Sequence, residues 1–457
     1  MKSLTIIGNG IAGITLALEV RKKDSEVQIQ VLSKEHPFFF SRPALMYIYM
    51  GHMRVEDTQP YENYTWNEKN IELIQTEVTS IDYSANILQH SNGEIQFDKL
   101  VIATGSKPNF FDWPGINAKA VQGLYHMQDL HLLESNTPGT KSAVIVGGGL
   151  IGVELAEMLH MRGIEVTLLV REKYFWNSVL PKEDSVLVGE HILSRDIKII
   201  AEDELESVQA DDDQRVKSIT TKNGQILDCQ ILGITVGVQP NIEFLKNNEL
   251  KFDRGILIDH QFKTNFDNVY AIGDCAQFEN PIEGRRPIEQ VWYTGKMHGE
   301  TLAHILTGST ELKYTPGIWF NSAKFVDMEY QTYGLFPAKP IDGTSNFYWR
   351  HQTNDVSVHL HYSSDDDRII AFNFFGTRAR HVACEKWIAE GAKITEVLAD
   401  LGWADFDPEF FPKYQQEIIN KWNAENPNKQ VSLKTSKGLF SRLAQKFHQP
   451  TQKVRVT

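Results

Sequence analysis

The sequence predicts an α/β chain of three domains, two of them opened by a glycine-rich strand–turn–helix unit. Three observations predict this. Two glycine fingerprints, Gly8-Asn9-Gly10-Ile11-Ala12-Gly13 and Gly147-Gly148-Gly149-Leu150-Ile151-Gly152, stand 139 residues apart. Each follows a short apolar run, Leu4 to Ile7 or Ala143 to Val146, and opens a helical pattern. The chain, at 457 residues, is too long for one core, and from Tyr314 to about Ile370 it turns strand-rich and aromatic.

Each fingerprint has a physical reading. The first glycine allows a sharp turn, the second lets backbone approach a pyrophosphate, and the third lets helix and strand pack closely. The helix N-terminus adds free N–H groups and partial positive charge. Two such units imply two dinucleotides in one chain, and electron transfer between them.

The acid that follows each fingerprint separates the two sites. A strand over Val27 to Leu32 ends near Glu35, about 20 residues on, where a ribose-binding carboxylate is expected. The strand Val166 to Val170 ends instead in Arg171, which suggests room for a 2′-phosphate. Glu172 next door can restore a preference for the unphosphorylated form, so NADH and NADPH both stay open.

Composition narrows the function. A net charge of −13 argues against a general nucleic-acid binder. Cys229, Cys275 and Cys384 form no CxxC pair and suit a reducing cytoplasm. The N-terminus enters its first strand within a few residues, so no secretory leader is expected, and no apolar run reaches the roughly 20 residues of a membrane span. The histidines are scattered, and no metal cluster is predicted.

Between the fingerprints, strand patterns run over Ile71 to Tyr83 and Asn86 to Phe97, with Asn92-Gly93 as a hairpin signal. Lys99 to Ile102 reads as a buried strand ending in the turn Ala103-Thr104-Gly105. The second unit starts near Gly123 and runs to about Gly237, with another hairpin at Asn223-Gly224. Asn268 to Ala276 reads as a strand entering a helix, with Asp274 at the junction. Helices are expected over Tyr293 to Leu306 and Lys386 to Leu401.

Four ordered motifs now stand together: the first fingerprint, Ala103-Thr104-Gly105, the second fingerprint continuing to Glu154, and Ala271-Ile272-Gly273-Asp274. Over about residues 1 to 400 the chain resembles the two-dinucleotide flavoproteins, or pyridine nucleotide–disulfide oxidoreductases. The resemblance implies two Rossmann-like domains, the second inserted in the first, and an α+β C-terminal domain that closes over a flavin and often dimerises. It implies an FAD domain over 1–112 and 245–312, an NAD(P)H domain over 113–244, a C-terminal domain over 313–405, and an extended basic tail over 406–457.

Roles follow position by position. Gly8, Gly10, Ala12 and Gly13 would hold the FAD pyrophosphate, Glu35 its ribose, Ala103-Thr104-Gly105 the turn beside it, and Gly273-Asp274 its ribitol chain. Gly147, Gly149, Leu150, Ile151 and Gly152, with Arg171 and Gly237, would hold the nicotinamide dinucleotide. Glu154 and Trp292 match groups near the reacting rings. Phe40-Ser41-Arg42-Pro43 resembles a segment of ferredoxin and rubredoxin reductases and of apoptosis-inducing-factor-like proteins, where Arg42 and Pro43 would lie beside the flavin. Arg42 there would stabilise negative charge on reduced flavin.

Departures set the subclass. No cysteine lies between Glu35 and Gly51, so disulfide-reductase chemistry is disfavoured. Tyr47 stands where ferredoxin reductases carry a lysine, and Gln290 where they carry a carboxylate. The expected enzyme passes hydride from NAD(P)H to FAD and then electrons to a ferredoxin-like carrier or small oxidant. Trp319, Phe320 and Lys324 are candidates for an acceptor surface.

No Asp or Glu follows Glu425, while Lys429, Lys434, Lys437, Arg442, Lys446, Lys453 and Arg455 do. Leu439, Phe440, Leu443 and Phe447 recur at helical spacing. A basic amphipathic helix of this kind suits an anionic membrane surface or the acidic body of the protein. The first choice would favour a quinone reductase at the inner membrane face. A third reading is a redox-gated binding protein.

Overall fold

The computed structural model describes residues 1–245, 249–406 and 412–434. The chain forms two compact units. One is Met1–Glu329 with Pro337–Lys339; the other is Tyr330–Phe336 with the chain from Pro340 onward.

The first unit holds two five-stranded parallel sheets of matching order. One runs Val269–Ala271, Lys99–Ile102, Ser3–Ile7, Gln28–Ser33, Ile71–Gln75. The other runs Val121–Gln122, Ile231–Ile234, Ser142–Val146, Glu165–Val170, Lys198–Ala201. In each, the strand before a glycine turn is central and pairs on both sides, as Leu4↔Ile29 and Leu4↔Lys99 in the first. Such strands are covered on both faces, and so Leu4, Ile6, Leu100, Val101 and Ile145 are fully buried. Each sheet is followed by a three-stranded antiparallel meander, one beginning at Val78 and one at Leu205. The chain leaves the first sheet and returns to it through Ser106–Pro108 and Val238–Pro240, which pair antiparallel.

Two helices open at the glycine turns, Ile11–Lys23 and Leu150–Met161. Neither Gly10 nor Gly149 gives a side-chain cap, so first-turn N–H groups stay available to a ligand. Helix Trp292–Leu306 crosses Ile11–Lys23 closely: a Cβ on Gly299 would stand 2.6 Å from the Ala12 carbonyl oxygen.

No helix begins at Asp274, contrary to the sequence reading. Gly273–Cys275 is a single 3-10 turn, and Ala276–Phe278 pairs with Ile256–Ile258. Gly273, at φ +72°, turns the chain, and the new pairing then captures it.

In the second unit, strand Met328–Tyr333 from Tyr330 onward pairs with Ile369–Phe375, which pairs with Ser357–Ser363, then Thr344–Arg350, all antiparallel. The single helix expected over Lys386 to Leu401 is two, His381–Ala389 and Ile394–Ala399, broken where Gly391 takes φ +64°. The extended tail expected from 406 also needs correction. Gln415–Glu425 is a helix that buries Ile418, Ile419 and Trp422. The Trp422 indole donates to the Lys429 carbonyl at 2.8 Å and lies 5.3 Å from the Phe347 ring. Lys429 is itself paired with Asp367 at 2.7 Å. The amphipathic pattern over Leu439 to Phe447 lies outside the described residues. Among the described residues no helix is long and apolar enough to cross a membrane.

Candidate active site

A cavity of about 1000 Å³ opens at the first glycine turn. Gly8, Gly10 and Ala12 line it, as do Glu35, Arg42 and Pro43, Ala103, Thr104 and Gly105, and Gly273, Asp274 and Trp292. Ile151 and Glu154 enter it from the second glycine helix. Gly13, Gly147, Gly149, Leu150, Gly152, Arg171 and Gly237 are not among its lining residues.

The three glycines of the first turn meet different demands. Gly8 takes φ +114°, and a Cβ there would stand 2.1 Å from the Ala103 carbonyl oxygen. A Cβ on Gly13 would meet the Gly8 carbonyl oxygen at 2.1 Å. A Cβ on Gly10 would meet nothing within 4 Å, and Gly10 lines the cavity. The second turn repeats this. Gly147 sits at φ +118° against the Thr235 carbonyl, Gly152 against the Gly147 carbonyl, and Gly149 has only the Trp176 indole nitrogen at 3.9 Å. A cradle with open backbone at its middle glycine and an uncapped helix behind it fits a pyrophosphate at each turn.

Glu35 and Arg42 change character in the folded protein. The Arg42 guanidinium donates to both Glu35 oxygens, at 2.9 and 2.7 Å, and also to the Tyr125 carbonyl. The Met127 N–H donates to Glu35 at 2.9 Å, and His126 lies 3.4 Å away. Burial pushes the Glu35 carboxyl up, but His126 and Arg42 outweigh it and hold the group well below the usual carboxylate range. The sequence reading set Arg42 beside the flavin to stabilise negative charge there. In the folded protein Glu35, seven residues before it, pairs with the guanidinium, so Arg42 also braces the loop.

Asp274 is half-buried in the cavity wall, and desolvation pushes its carboxyl up. Ser106 and Tyr125 hydroxyls donate to it at 3.0 and 3.2 Å, and Gln290 donates to Ser106 at 2.7 Å. Sequence reasoning missed Ser106 and Tyr125. Ser106 directly follows the Ala103-Thr104-Gly105 turn, which was a usable signal, whereas Tyr125 carries no local one.

Glu154, on the turn of helix just inside the second fingerprint, is half-buried at the cavity wall. Burial pushes its carboxyl up to about 7, against the pull of Lys324 and with the push of Glu157. Trp292 heads its helix and keeps 38% of its surface exposed. At the second site, Arg171 is exposed and its Nε donates to Glu172 at 3.1 Å. Gly237 takes φ +92°, and its carbonyl accepts the Asn109 N–H at 3.0 Å.

Comparison with known proteins decides the class. The family pattern described as pyridine nucleotide-disulphide oxidoreductase matches residues 2–299. The chain belongs to this family.

This oxidoreductase is similar to a monodehydroascorbate reductase of Pisum sativum, at 30% identity over 400 residues, covering 79% of this chain and 91% of the relative. An NADH oxidase of Methanocaldococcus jannaschii is 27% identical over 347 residues, 72% of this chain and 75% of that one. A solved ferredoxin reductase from Rhodopseudomonas palustris shares the fold, with a TM-score of 0.79 at 24% identity over 88% of this chain and 98% of its own. The oxidoreductase is FAD-dependent and uses NAD(P)H, passing hydride from nicotinamide to flavin and electrons onward to a separate acceptor. The family name refers to disulfides, yet Cys229, Cys275 and Cys384 are all buried and unpaired, and none lines the cavity. Burial pushes Cys275 up to about 11 and Cys229 up to about 12, so neither is a ready thiolate.

Proposed function

We propose that the large cavity holds FAD and that the second glycine turn holds the nicotinamide dinucleotide, so that the two meet beside Glu154 and Trp292. One observation carries this reading. The helix that opens at Gly149 also sends Ile151 and Glu154 into the cavity that opens at Gly8. A dinucleotide seated on that helix N-terminus is therefore directed at the other cofactor's cavity.

FAD bound here would supply the redox chemistry between nicotinamide and acceptor. The chain's residues do the rest. Gly8, Gly10, Ala12 and Gly13 offer backbone N–H groups and room for the pyrophosphate, and Ala103, Thr104 and Gly105 form the opposite wall. Asp274, with Gly273, accepts hydroxyls of the ribitol chain, held in place by Ser106 and Tyr125. Glu35, braced by Arg42 beside Pro43, keeps the ribose end closed. Gly147, Gly149, Leu150 and Gly152 seat the second pyrophosphate, with Arg171 and Gly237 at its rim.

The cavity carries no thiol, so electrons go directly to the acceptor. We propose a ferredoxin- or rubredoxin-like carrier or a small oxidant. The buried, unpaired cysteines fit a reducing, cytoplasmic setting. Anaerobic stopped-flow reduction by NADH and NADPH, followed by mixing with a panel of acceptors, tests the reading. Flavin bleaching by at least one nicotinamide, then reoxidation by a carrier protein or small oxidant, is expected. A flavin that neither nicotinamide reduces would overturn it.

A further inference from the structure

One turn of the second glycine helix carries two acids toward the cavity side. Glu154 lines the cavity, and Glu157 follows it three residues on, mostly buried. Like charges at this spacing repel, and a buried carboxylate without a cation is costly. The cation comes from far away in sequence. Lys324, on strand Phe320–Phe325, places Nζ 2.6 Å from Glu157 Oε1. The same ammonium stands 5.3 Å from the centre of the Tyr47 ring, with which the His52 ring stacks. Glu157 Oε2 is buried and accepts no hydrogen bond, which makes Lys324 its main support. Asp327 and His52 are the other charged or titratable groups that face Glu157; Glu154 is faced by Lys324 and Glu157.

We propose that Lys324 is a positioning residue for the nicotinamide-to-flavin step, fixing the charge of the Glu154–Glu157 turn from its seat on Tyr47. The inference rests on the reading of the cavity given above. Lys324 bonds directly to Glu157 and pulls its carboxyl down against the upward push of burial. Glu154 then feels an ammonium and a carboxylate together, and it titrates near neutrality. Without Lys324 two acids share a dry turn, and the cheapest remedy is a proton on Glu154. The cavity then presents a carboxylic acid that donates where a carboxylate had accepted. Tyr47 matters because its ring face holds the ammonium by cation–π attraction. A lysine at position 47 would start from beneath that ammonium and return a positive charge to the same place.

The test is a pH titration of the Glu154 carboxyl in the FAD-loaded protein, read by infrared difference spectra of isotope-labelled glutamate, with Glu154→Gln identifying the band. In Lys324→Met the titration is expected to move upward by at least about one pH unit. The pH profile of NAD+ binding, which involves no turnover, moves with it. Lys324→Arg keeps the charge and leaves both nearly in place, and Tyr47→Lys in the Lys324→Met background brings both back. If Lys324→Met does not fold, Lys324→Gln replaces it in both the single and the double variant. An unmoved titration in Lys324→Met, an equal shift in Lys324→Arg, or no return in the double variant overturns the proposal. Wild-type protein whose flavin neither NADH nor NADPH reduces counts instead against the reading of the cavity.

Discussion

Arg42 and Glu35 face one another through two parallel hydrogen bonds of 2.9 and 2.7 Å in the cavity wall. Such a fork fixes geometry as well as charge. It ties the loop after strand Gln28–Ser33 to the segment that enters helix Leu45–Tyr49, before any cofactor is considered.

Arg42→Met should therefore destabilise the protein, by about 2–4 kcal/mol, since it leaves a mostly buried carboxylate without its main cation. The pair also sets a pH signature. Glu35 is held below its unfolded value, so its contribution is present above about pH 4.3 and is lost as pH falls through the folded value. The melting difference between wild type and variant should shrink between about pH 7 and about pH 3. An equal difference at both would refute the assignment.

Asp274→Asn separates stability from cofactor binding. The carboxyl is half-buried and pushed upward by desolvation, so a neutral isostere should leave the melting temperature of the flavin-free protein level or raise it. FAD affinity should fall roughly 10- to 100-fold, the scale of a lost charge-assisted hydrogen bond. Fluorescence titration of the apoprotein with FAD, beside its melting curve, reads both. Reduced stability with intact affinity would reverse the argument.

Nucleotide preference should follow the Arg171–Glu172 pair. The Arg171 side chain is bound to its neighbour at 3.1 Å. Glu172→Ala releases it and should raise the NADPH-to-NADH ratio of kcat/KM about tenfold, whereas Arg171→Ala should lower it by a similar factor. Steady-state kinetics with both nucleotides decide this, and two unchanged ratios would remove the pair from the 2′ position.

His298 gives a second pH window. Its Nδ1 accepts the Gly273 N–H at 3.1 Å, and burial pushes the imidazole down to about 3. The unfolded chain titrates near 6.5, so it binds more protons than the folded one between the two values. Stability should fall on acidification from about pH 6.5, by up to about 1.4 kcal/mol per pH unit. His298→Gln keeps an acceptor without the titration and should flatten that slope. Denaturant unfolding of both proteins across the window measures it; parallel slopes would exclude His298 as the source.

Much of the fold was legible because glycine answers a local steric demand. A side chain at Gly8 or Gly147 would strike the carbonyl of the neighbouring strand, and so the residue type itself marks the turn. Buried parallel strands such as Lys99–Ile102 read as apolar runs for an equally local reason. The site was less legible where charges meet across the chain. Nothing near Tyr47 announces Lys324, and nothing near Asp274 announces Tyr125. Glu35 and Arg42 were both found, but their pairing with one another was not. Helix Gln415–Glu425 escaped because it is polar overall and buries only Ile418, Ile419 and Trp422, too short an apolar stripe to separate from a tail.

Helix Leu150–Met161 works as a party wall. Its first residues stand at the second glycine turn, and Ile151 and Glu154 look into the cavity of the first. Neighbours who share a wall cannot rebuild it independently. A substitution at Ile151 that shifts this helix by a fraction of an ångström changes the second glycine turn and the lining of the first cavity together. Change at either the turn or the cavity is thereby constrained by its effect on the other, which makes residues 150–154 the place where paired rather than single changes are required.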